Sequence, residues 1–154
     1  MIGTGLFWLL WPVWVVYFRF SGSRSRVLVV VGDEVLVVNG WLSTKDYDLP
    51  GGGNKKHETS AASAVRELQE ETGIVATESN LTILGRHKHS KYAFRYTADY
   101  FVLKLPEKPE LKLKKLEIFT ARWIKLNDTG MVRLGDDARY AISHYKPLEQ
   151  GSLL

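Results

Sequence analysis

Two valine-rich runs separated by a Gly-Asp pair, RVLVVVGDEVLVVN at residues 26–39, do most to narrow what this chain can fold into. β-Branched apolar runs of this length suit buried strands, and Gly32-Asp33 is a turn pair, so the segment predicts a hairpin. Leu49-Pro50-Gly51-Gly52-Gly53 then reads as irregular, because three glycines and a proline favour neither helix nor strand. Thr59 or Ser60 can cap a helix through Ala61, Ala62, Ala64, Val65 and Leu68 to about Thr72, with Gly73 as its stop signal. Strands are expected near 81–84, 93–105 and 119–126, and a closing helix from about 135 to 145. Strands around one central and one terminal helix indicate an α/β (α+β) sandwich.

Composition separates an unusual beginning from an ordinary remainder. Residues 1–18 carry no Asp, Glu, Lys, Arg or His, although 25% of the 154 residues are charged. The division expected is therefore an apolar segment over 1–20 and a domain over 21–154. As a helix, residues 2–18 would reach roughly 25 Å, at the lower limit for a membrane span, with Pro12 inside it and Trp8, Trp11, Trp14 and Tyr17 resembling an interfacial belt. Two placements follow, a membrane anchor or interfacial helix, and a segment packed on the domain or on a homodimer partner. Arg19, Arg24 and Arg26 behind the segment favour a cytoplasmic domain on the inner face of a membrane. The absence of cysteine excludes disulfides, thiolate metal sites and cysteine nucleophiles. A formal charge of +4 suits an anionic ligand and is too small and scattered to indicate nucleic acid.

Chemistry concentrates in GGNKKHETSAASAVRELQEETGI, residues 52–74. Glu67, Glu70 and Glu71 stand at i, i+3 and i+4, so the predicted helix projects all three carboxylates within a single turn. Such a cluster is self-repelling, and a hard divalent cation with oxygen ligands removes the penalty, which makes Mg²⁺, or Mn²⁺ in its place, the natural occupant. A solvated helix face with Arg66 paired to Glu70 is the plain alternative for a bare E-x-x-E-E.

The surrounding residues decide between the two. Gly52, Glu58, Arg66, Glu67, Leu68, Glu70, Glu71, Gly73 and Ile74 match the Nudix hydrolase signature at every required position, a coincidence with a chance probability on the order of 10⁻⁷ from average residue usage. Tyr47-Asp48-Leu49-Pro50-Gly51-Gly52 resembles the family's entry to the box, with Tyr47 in place of a tryptophan, and Glu117 followed by Arg122-Trp123-Ile124 resembles its closing strand. His57 departs from the family, which commonly has glycine there.

The resemblance implies a Nudix-type α/β/α sandwich with a mixed sheet and a Mg²⁺-dependent pyrophosphohydrolase cleaving a nucleoside diphosphate linked to another moiety. By analogy Glu67, Glu70, Glu71 and the Gly51 carbonyl hold metal, Arg66 orients the cluster, Glu58 is its structural partner, and Glu117 is a candidate base. Arg86-His87-Lys88-His89-Ser90-Lys91-Tyr92 is expected to be a basic loop facing substrate. Lys55, Lys88, Tyr92 and Tyr47 are candidate substrate contacts. Two alternatives remain open, a lipid-linked or prenyl diphosphate as substrate, and a non-hydrolytic nucleotide-binding module.

Overall fold

A computed structural model of the chain describes residues 22–40, 46–91, 94–114 and 117–146. The apolar segment 1–20 lies outside them, as does Tyr92. Among the described residues no helix is long and apolar enough to cross a membrane.

The expected hairpin forms as β1 (Gly22–Val31) and β2 (Glu34–Gly40), closed through Gly32 and Asp33 with Val31 opposite Glu34. Four consecutive residues, Val27 to Val30, are almost fully buried, and so are Val35 to Val38. Consecutive burial means that both faces of the sheet are covered, since neighbouring strand side chains point opposite ways. The helices α1 (Ser60–Thr72) and α2 (Asp136–His144) supply the covers. Val27, Val29, Leu36, Phe101 and Leu103 pack with Ala64 and Leu68 of α1. Leu28, Val30, Val35, Val37, Tyr100 and Ile124 pack with Ala138 and Ala141 of α2.

The remaining strands are β3 (Gly51–Gly53), β4 (Leu81–Lys91), β5 (Phe94–Lys104) and β6 (Ile118–Lys125). The six-stranded sheet runs β4-β5-β1-β2-β6, with β3 paired to the early half of β1. Among the described strands only β1 and β5 pair in parallel, so the sheet is mixed, as expected.

The structure departs from expectation at two places. The three glycines form a short strand rather than irregular backbone, with Arg24, Ser25 and Arg26 opposite Gly53, Gly52 and Gly51. The basic stretch 86–91 is strand, not loop: β4 continues through it, pairing Arg86 with Asp99 and Lys91 with Phe94. A long partner strand rewards extension whatever the side chains. Strand alternation then sorts the patch, with Arg86 bonded to Asp99 and the rings of His87 and His89 against Tyr140 and Tyr96.

A local cap fixes one helix start and a long-range polar contact the other. Thr59 caps α1 by accepting the Ala62 N–H at 3.0 Å, and Gly73 ends it in the left-handed conformation at φ 77°. Gly135 starts α2 with no side-chain cap; Asp48 substitutes, its Oδ1 accepting the Ala138 N–H at 2.8 Å. An alanine at 135 would collide with that carboxylate.

Candidate active site

The acidic cluster is built where the glycine strand meets α1. Helical periodicity carries Glu67 and Glu71 inward with Ser63, Ala64 and Leu68, whereas Glu70 sits at the rim with 42% of its side chain exposed. Glu71 Oε2 accepts the Gly51 N–H at 2.9 Å, so one carboxylate of the cluster is anchored to β3. Glu67 lies against Gly52 so closely that a Cβ there would stand 2.5 Å from its Cδ. A side chain at 52 would displace that carboxylate from its place.

Arg66 ties the cluster together. Its Nε and Nη2 reach the two oxygens of Glu58 at 2.8 and 2.9 Å, and its Nη1 reaches Glu67 Oε1 at 2.7 Å, while Glu70 is farther at 3.7 Å. The expected pairing of Glu58 with Arg66 is therefore present, and Glu58 is held down to about 2 by that hydrogen bond. Burial pushes Glu71 up to about 7, with Glu67 and Glu117 adding to the rise and Gly51 N–H and Arg26 opposing it. Carboxylates in this patch feel one another, as the i, i+4 spacing required.

Glu117 reaches the same region on the connection between β5 and β6. Lys112 and Lys114 donate their N–H groups to the Thr72 and Glu71 carbonyls at 2.8 and 3.1 Å, which lays that segment along the end of the helix. Lys114 Nζ pairs with Glu117 Oε1 at 3.0 Å. Its pKa is raised by Glu117 first and then by Glu70 and Glu67.

The proposed substrate contacts are dispersed. Lys55 is exposed, its N–H on Glu58 Oε2 at 3.0 Å, and Lys88 is exposed on β4. Tyr47 packs on the α2-side core, accepts from Thr120 and carries Arg122 over its ring at 5.5 Å. Among the described residues, no three His, Asp or Glu side chains converge tightly enough to hold a metal as they stand.

His57, where the family commonly has glycine, takes φ 66°. That left-handed conformation costs an L-residue about 1 kcal/mol or more. His57→Gly should therefore raise stability by about 0.5–1 kcal/mol, read from urea unfolding, a gain reduced by the greater freedom of glycine in the unfolded chain. An unchanged or lower midpoint would show that the histidine side chain compensates its backbone.

Sequence reasoning gave no site role to Arg26 or Asp137. Arg26 Nε meets Asp137 Oδ2 at 2.7 Å and its Nη1 donates to the carbonyls of Gly51 at 2.6 Å and Leu49 at 3.3 Å. The one available signal was a charge opening a run of buried valines.

A mixed sheet between two helices, with an acidic helix face docked on a glycine strand, defines a Nudix-type α/β/α fold. The model of the NUDIX domain matches residues 22–146, and the chain belongs to the Nudix hydrolase family. It is similar in fold to a MutT NUDIX hydrolase from Burkholderia pseudomallei, with 19% identity, 80% of this chain and 97% of that one covered, and a TM-score of 0.72. The E. coli dihydroneopterin triphosphate pyrophosphohydrolase is 19% identical over 80% of this chain and 93% of its own, with a TM-score of 0.68. A bifunctional NMN adenylyltransferase/ADP ribose pyrophosphatase from Francisella tularensis, complexed with AMP and a manganese ion, is 23% identical, covering 90% of this chain and 44% of its own, with a TM-score of 0.65. No curated protein matches the chain in sequence.

Proposed function

We propose that the chain is a divalent-cation-dependent pyrophosphohydrolase acting on a nucleoside diphosphate linked to another moiety. The observation that carries this reading is the docking of the acidic helix on the glycine strand, with Glu71 on the Gly51 N–H and Glu67 filling the space above Gly52. The donor set suits a hard cation. It is all oxygen, Glu71 is lifted by burial first and by its acidic neighbours Glu67 and Glu117 after it, and Gly52 is kept free of a Cβ that would displace Glu67. Mg²⁺ is the expected ion and Mn²⁺ its substitute, held by Glu67, Glu70, Glu71 and the Gly51 carbonyl. A bound cation of this kind supplies a water of lowered pKa and polarises phosphoryl oxygens.

The chain's own residues do the remaining work. Arg66, held by Glu58, fixes the orientation of Glu67. Glu71, anchored at Gly51, keeps the cluster in register with β3. Glu117 is the candidate base for the attacking water, a role supported by its electrostatic reach to Glu71, and Lys114 beside it offers positive charge to phosphate. Relatives of the same fold described as a triphosphate pyrophosphohydrolase and as an ADP ribose pyrophosphatase support a nucleotide substrate.

The test is turnover of a panel comprising a nucleoside triphosphate, ADP-ribose, a dinucleoside polyphosphate, a nucleotide sugar and a prenyl diphosphate, each with Mg²⁺ or Mn²⁺. Cleavage of at least one nucleotide, abolished by EDTA, is expected. Turnover of the prenyl diphosphate alone would overturn the substrate class, and no turnover with either ion would overturn the reaction.

A further inference from the structure

A second charged centre lies on the opposite side of the glycine strand from the acidic cluster. Arg26 is the last charge before the buried run of β1, and 12% of its side chain is exposed. Its Nε is held by Asp137, in the first turn of α2, and Asp137 is itself held by the hydroxyl of Tyr100 at 2.5 Å, that of Tyr96 at 3.2 Å, and His89 Nε2 at 3.1 Å. With the guanidinium so fixed, Nη1 donates to the Gly51 carbonyl at 2.6 Å.

The Gly51 residue is thereby gripped at both ends, its N–H by Glu71 and its C=O by Arg26. The neighbouring Pro50 carbonyl accepts the Val27 N–H at 3.0 Å, which leaves this backbone little freedom to turn. A carbonyl oxygen has two lone pairs, so the bond from Arg26 leaves one for another partner. Groups that hold a metal ligand from behind set its direction and commonly change affinity by 10- to 100-fold when removed.

We propose that Arg26 is a positioning residue for the cation site, aiming the Gly51 carbonyl from the α2 side of the sheet, with Asp137 as the anchor that keeps its guanidinium in place. The inference rests on the reading above that the acidic cluster and the Gly51 carbonyl take a divalent cation. A planar guanidinium serves Asp137 and the carbonyl through different nitrogens at once, which the single nitrogen of a lysine cannot do. A role confined to folding would lower stability and leave the cation affinity of the folded protein alone.

The experiment measures binding of Mn²⁺ alone, by the electron paramagnetic resonance of the free ion, to the full chain and to Arg26→Lys, Asp137→Asn and Glu70→Gln, at a temperature where circular dichroism shows each to be folded. Arg26→Lys should weaken Mn²⁺ binding roughly tenfold, and Asp137→Asn should weaken it by a smaller factor in the same direction. Lower melting temperatures with wild-type Mn²⁺ affinity in both would overturn the proposal. If Arg26→Lys does not fold, Asp137→Asn decides alone. Wild-type protein that binds no Mn²⁺, or binds it no better than Glu70→Gln does, would overturn the cation reading and this inference with it. Wild-type binding lost in Glu70→Gln but unchanged in the other two would overturn this inference only.

Discussion

Glu70→Gln should lose roughly 10²- to 10³-fold in kcat, the scale seen when a group that stabilises transition-state charge is removed, while its unfolding free energy stays within about 0.5 kcal/mol of wild type. The prediction is sharp because the side chain does so little for the fold. It is 42% exposed, and Arg66 lies 3.7 Å away with closer partners in Glu58 and Glu67. A half-exposed ion pair at that distance contributes little to stability. The fold therefore depends little on Glu70, and a loss of turnover in this variant reads the proposed role at the cation. Glu71→Gln should lose activity to a similar extent, since the amide oxygen can still accept the Gly51 N–H and only the charge is gone. Full turnover in both variants, with unfolding curves superimposed on wild type, would remove the metal assignment.

Gly51→Ala should produce the largest loss of stability, about 3 kcal/mol, read from the shift in urea midpoint at constant slope. Two causes act together. Gly51 takes φ 139°, a conformation that L side chains rarely adopt, and a Cβ there would run into the carbonyl oxygen of Ser25. Neither can relax, because Gly51 is paired with Arg26 across β1 and β3 and its N–H is bound to Glu71. Gly52→Ala is a different case. Its Cβ would meet the Glu67 carboxylate rather than backbone, so the side chain can swing aside at the expense of its bond to Arg66. Gly52→Ala should accordingly keep more stability than Gly51→Ala and lose activity. Equal stability of Gly51→Ala and wild type would mean that β3 is not paired to β1 in solution.

Much of this was readable from neighbouring residues. The hairpin followed from two valine-rich runs and a Gly-Asp turn, and α1 from Thr59, a helical apolar stripe and Gly73. Glu67, Glu70 and Glu71 shared a turn by periodicity alone, and the Nudix signature named the family to which the chain belongs. Less readable was the division of labour among the three glutamates. Periodicity places them together, but which two face inward depends on where β3 passes, and that strand was expected to be irregular.

The basic stretch 86–91 shows the same limit from the other side. Its polar side chains and Gly85 favour a loop in isolation, whereas β5 pairs with it along its length and makes it a strand, which sends Arg86 to Asp99 and His89 to Tyr96.

What the chain's own order of residues determined was local: turns, caps, helix periodicity and the acidic signature, each set by contacts within a few positions of one another. The contact of Arg26 with Asp137, 111 residues apart, and of Gly51 with Glu71, 20 apart, came only with the sheet and its two covering helices. Hydrogen bonds of that reach have no trace in short-range pattern, because they form only after the hydrophobic layers have brought distant backbone together.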